Sequence, residues 1–187
     1  MFNQKQVIKD CQKGNVLAQR QLYDHYAEQM FGVCYRYTKS FEDAEDVLQD
    51  GFIRVFTNLH QYRGDGELGA WIRRIMVHTS INYLKKNVHY RKEMVFTEPS
   101  LHPVLNDTPD ILIQAKELAD LIRQLPTGYQ TVFNLYAVEG FAHAEIGKIL
   151  GISENTSRSQ YMRARNLLSE WIEKIDEDNK KSEKYAR

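Results

Sequence analysis

Phe141-Ala142-His143-Ala144-Glu145-Ile146-Gly147-Lys148-Ile149-Leu150-Gly151-Ile152-Ser153-Glu154-Asn155-Thr156-Ser157-Arg158-Ser159-Gln160-Tyr161-Met162-Arg163-Ala164-Arg165-Asn166-Leu167-Leu168 is the stretch whose reading decides the fold. Ala144, Ile146, Ile149 and Leu150 give a short helix one apolar side, and Gly151 follows as a stop that takes positive φ without steric cost. Ile152 fills the turn. Ser153 carries the side chain to cap a second helix, and Glu154 suits the positive end of its dipole. In that helix Ser157, Tyr161, Ala164 and Leu168 recur at spacings of four, three and four, which predicts a buried stripe. The unit reads as a helix-turn-helix.

Its outward positions are Asn155, Thr156, Arg158, Ser159, Gln160, Met162, Arg163 and Arg165, and no acid occurs between Glu154 and Glu170. Cations and hydrogen-bond donors in that arrangement suit phosphates and base edges in a major groove. A solvated helix face is the plainer reading of the same surface.

Whether charge elsewhere supports nucleic-acid binding depends on its distribution, because Lys plus Arg equals Asp plus Glu at 25 each and the chain has no net field. The charge is segregated. Residues 68–92 hold Arg73, Arg74, Lys85, Lys86, Arg91 and Lys92 with no acid, whereas Glu42, Asp43, Glu45, Asp46 and Asp50 crowd one short segment. The hydrophobic fraction of 42% with 27% charged residues is that of a soluble globular protein.

Outward from the decisive stretch, the rest of the chain is helical in pattern. Val7, Ile8 and Cys11 predict a helix over 3–13 closed by Gly14, and Asn15 can cap a long one whose core side is Ala18, Leu22, Tyr26, Met30, Val33 and Tyr37. The cleanest periodicity is Ala44, Val47, Leu48, Gly51, Phe52, Val55, Phe56 and Leu59. Its other side is acidic and reads either as a solvated face or as a docking surface for a basic partner. A loop with three glycines, Gln61 to Gly69, precedes a helix opening at Trp71, with Ile72, Ile75, Met76, Thr79 and Tyr83 inward. Cations interleave with aromatics along Tyr62-Arg63, Trp71, Arg73-Arg74, Tyr83, Lys85-Lys86 and Tyr90-Arg91, which suits unpaired bases stacked on rings; core aromatics with snorkelling cations are the plainer reading, and Tyr83 suits the core better.

Residues 93–111 read as a linker, since three of the four prolines lie there and four acids face no cation. Leu118, Leu121, Ile122 and Leu125 resume the helical pattern, and Pro126 restarts a helix carrying Tyr129, Val132, Phe133 and Tyr136. After Ile175 the charged tail lacks apolar partners and is expected to fray. The expected fold is therefore all-α: a helical domain over 1–92, the acidic proline-containing linker, a helix-turn-helix domain over 112–175 and a tail over 176–187.

Catalytic signatures are missing: no Gly-rich phosphate loop, no G-x-S-x-G elbow, no H-E-x-x-H and no paired-Cys zinc spacing. Cys11 and Cys34 fit buried thiols in a reducing compartment. No signal-peptide pattern and no apolar run near the roughly 18 residues of a membrane span occur, so a cytoplasmic protein without cofactor, metal or small-molecule substrate is expected, and not an enzyme.

In order, an acidic helix, a glycine loop, a Trp-led basic helix, an acidic linker and a helix-turn-helix resemble a bacterial RNA polymerase sigma factor of the extracytoplasmic-function group. The segments that carry the resemblance are Glu42 to Phe52, Ala70 to Ile75, Asn82-Tyr83-Leu84, Leu125-Pro126 and Glu145 to Ser153. The resemblance implies that Glu45, Asp46, Gln49 and Asp50 grip the clamp of core RNA polymerase. It implies that Tyr62, Arg63, Trp71, Arg73, Arg74 and His78 hold the melted −10 element, and that the second helix of the helix-turn-helix reads the −35 element. Promoter DNA, core polymerase and an anti-sigma factor are the implied partners. Ala142 stands where Ser or Thr is usual, Ser157 where Val is, Gln160 where Arg is, and His78 where Asn is frequent. Gln160 would favour adenine where Arg favours guanine. The alternative is a stand-alone helix-turn-helix regulator, which leaves the acidic and basic-aromatic helices without a task.

Overall fold

The computed structural model describes residues 3–86 and 111–185, and within them the side chains of 3–86 and 118–177. The chain divides into two compact units, Met1–Asn87 and Val88–Arg187. Among the described residues there is no strand, and no helix is long and apolar enough to cross a membrane. The linker expected over 93–111 lies outside the described residues except for Ile111, which opens a helix.

The first unit is four helices, α1 (Gln4–Gln12), α2 (Val16–Tyr35), α3 (Phe41–Asn58) and α4 (Leu68–Lys86). Caps fix three of the starts. Asn3 accepts from the Gln6 N–H, Asn15 from those of Leu17 and Ala18, and Ser40 from that of Asp43. Helices α2, α3 and α4 each pack on the other two, and α1 lies on α2. The buried stripes of α2 and α3 are the expected ones: Leu22, Met30 and Val33 on α2 and Ala44, Val47 and Val55 on α3 are all at 2% exposure or less. Both cysteines are buried free thiols, and burial pushes Cys34 up to about 12, an unreactive thiol.

Helix α4 starts three residues before Trp71, so Gly69 belongs to its first turn and not to the loop. The reason is a close approach: a Cβ on Gly69 would stand 3.2 Å from the Tyr26 ring. The buried face of α4 is also wider than the expected stripe. It takes in Val77, Ser80, Ile81 and Leu84 besides Ile72, Met76 and Thr79, while Ile75 and Tyr83 are half-buried. Tyr83 donates its hydroxyl to the Asp43 carboxylate at 2.5 Å, joining α4 to the first turn of α3.

The second unit comprises α5 (Ile111–Gln124), α6 (Thr127–Phe133) continued by a π-helical turn over Asn134–Val138, α7 (His143–Leu150) and α8 (Glu154–Tyr185). Leu121, Ile122, Leu125 and Tyr129 pack with Ala164, Leu168 and Trp171 of α8 in one cluster. Contrary to the expected fraying after Ile175, the helix continues to Tyr185. Asp176 and Glu177 stand four residues before Lys180 and Lys181, the spacing at which opposite charges support an isolated helix.

Candidate nucleic-acid interfaces

The helix-turn-helix is α7, its turn, and the first half of α8. Glycine makes the turn at two places. Gly151 sits at φ +73°, and the N–H groups of Gly151 and Ile152 both donate to the Gly147 carbonyl, at 2.9 and 3.0 Å. Gly147 faces the returning chain so closely that a Cβ there would lie 2.8 Å from the Ile152 carbonyl oxygen. Ser153 caps α8 as expected, accepting from the Thr156 N–H at 3.0 Å. Ala142 has no side-chain acceptor for α7, but Glu145 still reaches back and accepts from the Ala142 N–H at 2.9 Å.

The face that α7 turns to α8 differs from the expected one: Ala144 is exposed, and His143 and Gly147 join Ile146 and Leu150 in the interior. His143 hydrogen-bonds through Nδ1 to the Ser157 hydroxyl at 2.9 Å and stacks on Tyr136, centroids 4.2 Å apart and planes 8° off parallel. Tyr161 completes the cluster, its ring 4.5 Å from Tyr136 and 5.8 Å from His143. Ser157 in place of an aliphatic residue is thus half of a polar pair that pins the two helices together. Burial, then the charge of Arg158, lower the pKa of His143, with Glu154 opposing them, so the ring is neutral.

Along α8, Asn155, Arg158, Ser159, Met162, Arg163 and Arg165 are exposed, Met162 at 52%. Thr156 is half-buried and its hydroxyl contacts that of Ser153 at 2.8 Å. Gln160 corrects the sequence expectation: it is 4% exposed and points into the unit, not to solvent. Helix phase explains it, since Gln160 is three residues after buried Ser157 and four before buried Ala164, which puts it on the core stripe with Tyr161 moved to the flank. The adenine preference argued for Gln160 therefore has no donor on this surface. Asn166, exposed and four residues after Met162, shares the outer face and is not singled out by the sequence. Two cations are already oriented: Arg158 chelates Glu154 Oε1 through Nη2 at 2.5 Å and Nε at 3.2 Å, and Arg163 Nη1 donates to the Tyr129 hydroxyl at 3.4 Å.

In the first unit the loop before α4 is closed by the Tyr62 hydroxyl, which donates to the Gly66 carbonyl at 2.5 Å, and the Tyr62 ring lies 5.6 Å from that of Trp71. Trp71, Arg74, Ile75 and His78 follow each other at helical spacing along α4 and, with Thr79 and with Arg54 and Asn58 from α3, line a cleft of about 250 Å³. Burial, Arg74 and Lys85 in that order lower the pKa of His78, which leaves it a neutral donor and acceptor. Arg73 does not join this cleft. It lines another, of about 470 Å³, with Gln4, Tyr26, Gln29 and residues 66–70. The expected −10 set thus splits between two sides of one helix turn, with Arg63 exposed on the loop.

Glu45, Asp46, Gln49 and Asp50 are exposed on α3, on the side away from its buried stripe. Ile53, 63% exposed, lies seven residues after Asp46 and three after Asp50, at the C-terminal edge of that acidic face. Among the described residues no three His, Cys, Asp or Glu side chains are grouped to hold a metal ion.

Residues 22–89 match the family described as sigma-70 region 2, and residues 115–168 match sigma-70 region 4. The ECF RNA polymerase sigma factor SigW of Bacillus subtilis (strain 168) is 28% identical over 175 residues, 88% of this chain and 94% of that protein. The ECF RNA polymerase sigma-E factor of Haemophilus influenzae is 28% identical over 180 residues, 90% of this chain and 95% of that protein. In fold, the chain is similar to the sigma factor RpoE solved in complex with the anti-sigma factor NepR from Bartonella quintana, with a TM-score of 0.50 at 20% identity over 82% of this chain and 96% of that one. With a region 2 unit and a region 4 unit in one chain, the protein belongs to the sigma-70 family, in its ECF group.

Proposed function

We propose that the protein loads onto core RNA polymerase and directs it to promoters, reading the −35 element as duplex and the −10 element as separated strand. The observation that carries this is the pairing, in one chain, of a donor-rich recognition helix with a separate aromatic and cationic cleft. The two surfaces suit different forms of DNA. Arg158, Arg163 and Arg165 with Asn155, Ser159 and Asn166 present charge and amides at the width of a major groove. Trp71 with Arg74 and His78 offers a ring and donors to an unpaired base. The acidic face of α3, with Ile53 at its C-terminal edge, has the composition of a docking surface for a basic helical partner on the polymerase: charges for steering and one apolar anchor. A stand-alone regulator would leave that face and the cleft unused.

Bond making stays with the polymerase, this chain supplies selection and strand opening, and it acts in the cytoplasm. An anti-sigma factor covering the α3 face or the recognition helix would hold it inactive. Run-off transcription from a pool of promoter fragments tests the reading. Transcripts that need both core polymerase and this chain, and that share two upstream elements, are the expected result. Absence of transcripts, together with a symmetric footprint of the free chain, would replace it with the stand-alone regulator.

A further inference from the structure

The cleft that Arg73 lines differs in chemistry from the one beside Trp71. Gln4 at the start of α1, Tyr26 and Gln29 three residues apart on α2, Gly66 and Glu67 at the end of the glycine loop, and Arg73 on α4 form its walls. At about 470 Å³ it has the size of a ligand pocket, for which about 300–1,000 Å³ is usual. One cation, Arg73, is set against one anion, Glu67, so the lining carries no net charge. Among the described residues the side-chain amides of Gln4 and Gln29 make no hydrogen bond, and each offers an acceptor beside donors. Burial, then the Tyr62 hydroxyl and the Glu67 carboxylate, raise the pKa of Tyr26, which keeps its hydroxyl a neutral donor and acceptor. At Gly66 a Cβ would meet nothing within 4 Å, so the space over the loop is open there. A phosphate would find one cation facing a carboxylate, and an apolar group would bury both amides unpaired. The occupant that fits is neutral, with donors beside acceptors along its edge.

Position in the unit identifies that occupant. Tyr62 spans the wall between the two clefts: its ring lies 5.6 Å from that of Trp71, and its hydroxyl donates at 2.5 Å to the carbonyl of Gly66 in the lining of the second. Arg73 and Arg74, adjacent on α4, each serve one cleft. A strand that leaves a base at Trp71 therefore passes the second cleft within a short length of chain. On the edge that unpairing exposes, every base sets a donor beside an acceptor: N6–H and N1 in adenine, N4–H and N3 in cytosine, N1–H and O6 in guanine, N3–H and O4 in thymine. A glutamine amide matches all four by turning over. We propose that the cleft between α1, α2 and the start of α4 holds a second unpaired base of the opened strand, whatever its identity, through Gln4 and Gln29. The inference rests on the sigma-factor reading and adds a second grip, one that keeps the strand open without reading its sequence.

The test uses the chain loaded on core RNA polymerase and promoter fragments with a pre-melted bubble, an abasic sugar replacing each unpaired nucleotide in turn while affinity is measured. Two positions should respond. At the one that belongs to this cleft, loss of the base should weaken binding by about tenfold, as two neutral hydrogen bonds would, while exchange among the four bases should change it by less than about threefold. Gln29 is exposed and Gln4 half-buried, so the double variant Gln4→Ala, Gln29→Ala should keep the wild-type melting temperature. It should be indifferent to the abasic sugar at that position and keep its response at the other; Trp71→Ala should show the reverse. A single responsive position in the wild type, a double variant that still responds at both, or a preference above about tenfold for one base at the second position overturns the inference. So does a double variant that responds at neither, which marks a rearranged loop instead of a lost base contact. Should wild-type loaded enzyme give no run-off transcript, the sigma-factor reading fails separately, and the free chain on single-stranded oligonucleotides with and without an abasic sugar decides whether the cleft holds a base.

Discussion

At the scale of single residues, two positions in the helix-turn-helix convert sequence departures into measurable energies. Ala142 leaves the N–H donors at the start of α7 without a side-chain acceptor, while Glu145 keeps its half of the capping arrangement. Ala142→Ser should therefore add about 1 kcal/mol to stability, read as a higher melting temperature, and an unchanged or lower one would show the first turn satisfied otherwise. His143 is the second. Its lowered pKa means that the unfolded chain takes up a proton the folded chain refuses, so its contribution is whole above the ordinary 6.5 and is lost progressively as pH falls below it. Melting of the wild type should drop between about pH 7.5 and about pH 5.5, and His143→Gln should drop less, retaining the share due to His78. Equal slopes would exclude His143 as a source. Neither His143 nor Gln160 is legible from hydropathy, because polar side chains on a buried stripe count against the stripe; His143 becomes interior with a partner from another helix, the Ser157 hydroxyl, and Gln160 by its phase on α8.

At the scale of elements, periodicity and caps were sufficient wherever a helix has one dry side. The stripes of α2 and α3, and the caps at Asn15 and Ser153, stand where the sequence puts them, while the Ser40 cap of α3 is added by the structure. Helix α4 is different: buried on more than one side by α2 and α3, it has no single stripe to detect, and its start is set by Gly69 against Tyr26, a contact 43 residues away in the sequence. The cleft shows the same limit. Trp71, Arg74 and His78 can be grouped from helical spacing, but Arg54 and Asn58 come from another helix, and Arg73, one step of about 100° from Arg74, is turned into a different cleft. The turn between α7 and α8 is the element most exposed to a single change. Gly147→Ala places a methyl group 2.8 Å from a backbone oxygen that cannot rotate away, so it should cost about 1–3 kcal/mol and weaken duplex binding. A variant with unchanged melting and unchanged duplex affinity would show that the turn has slack.

At the scale of the whole molecule, balanced charge makes location matter more than amount. With 25 cations and 25 anions the chain has no general attraction for DNA, so affinity must come from local surfaces brought to bear together. The central claim is a division of labour: α8 reads duplex and the cleft beside Trp71 holds the opened strand. Permanganate reactivity of unpaired thymines, measured beside duplex affinity on polymerase loaded with Trp71→Ala or with the double variant Arg158→Ala, Arg163→Ala, separates the two tasks. Trp71→Ala should bind promoter duplex near the wild-type level and leave thymines unreactive; the double variant should lose duplex affinity by about tenfold or more and open in proportion to what it binds. Equal loss of binding and opening in both variants, or none in either, would contradict the account.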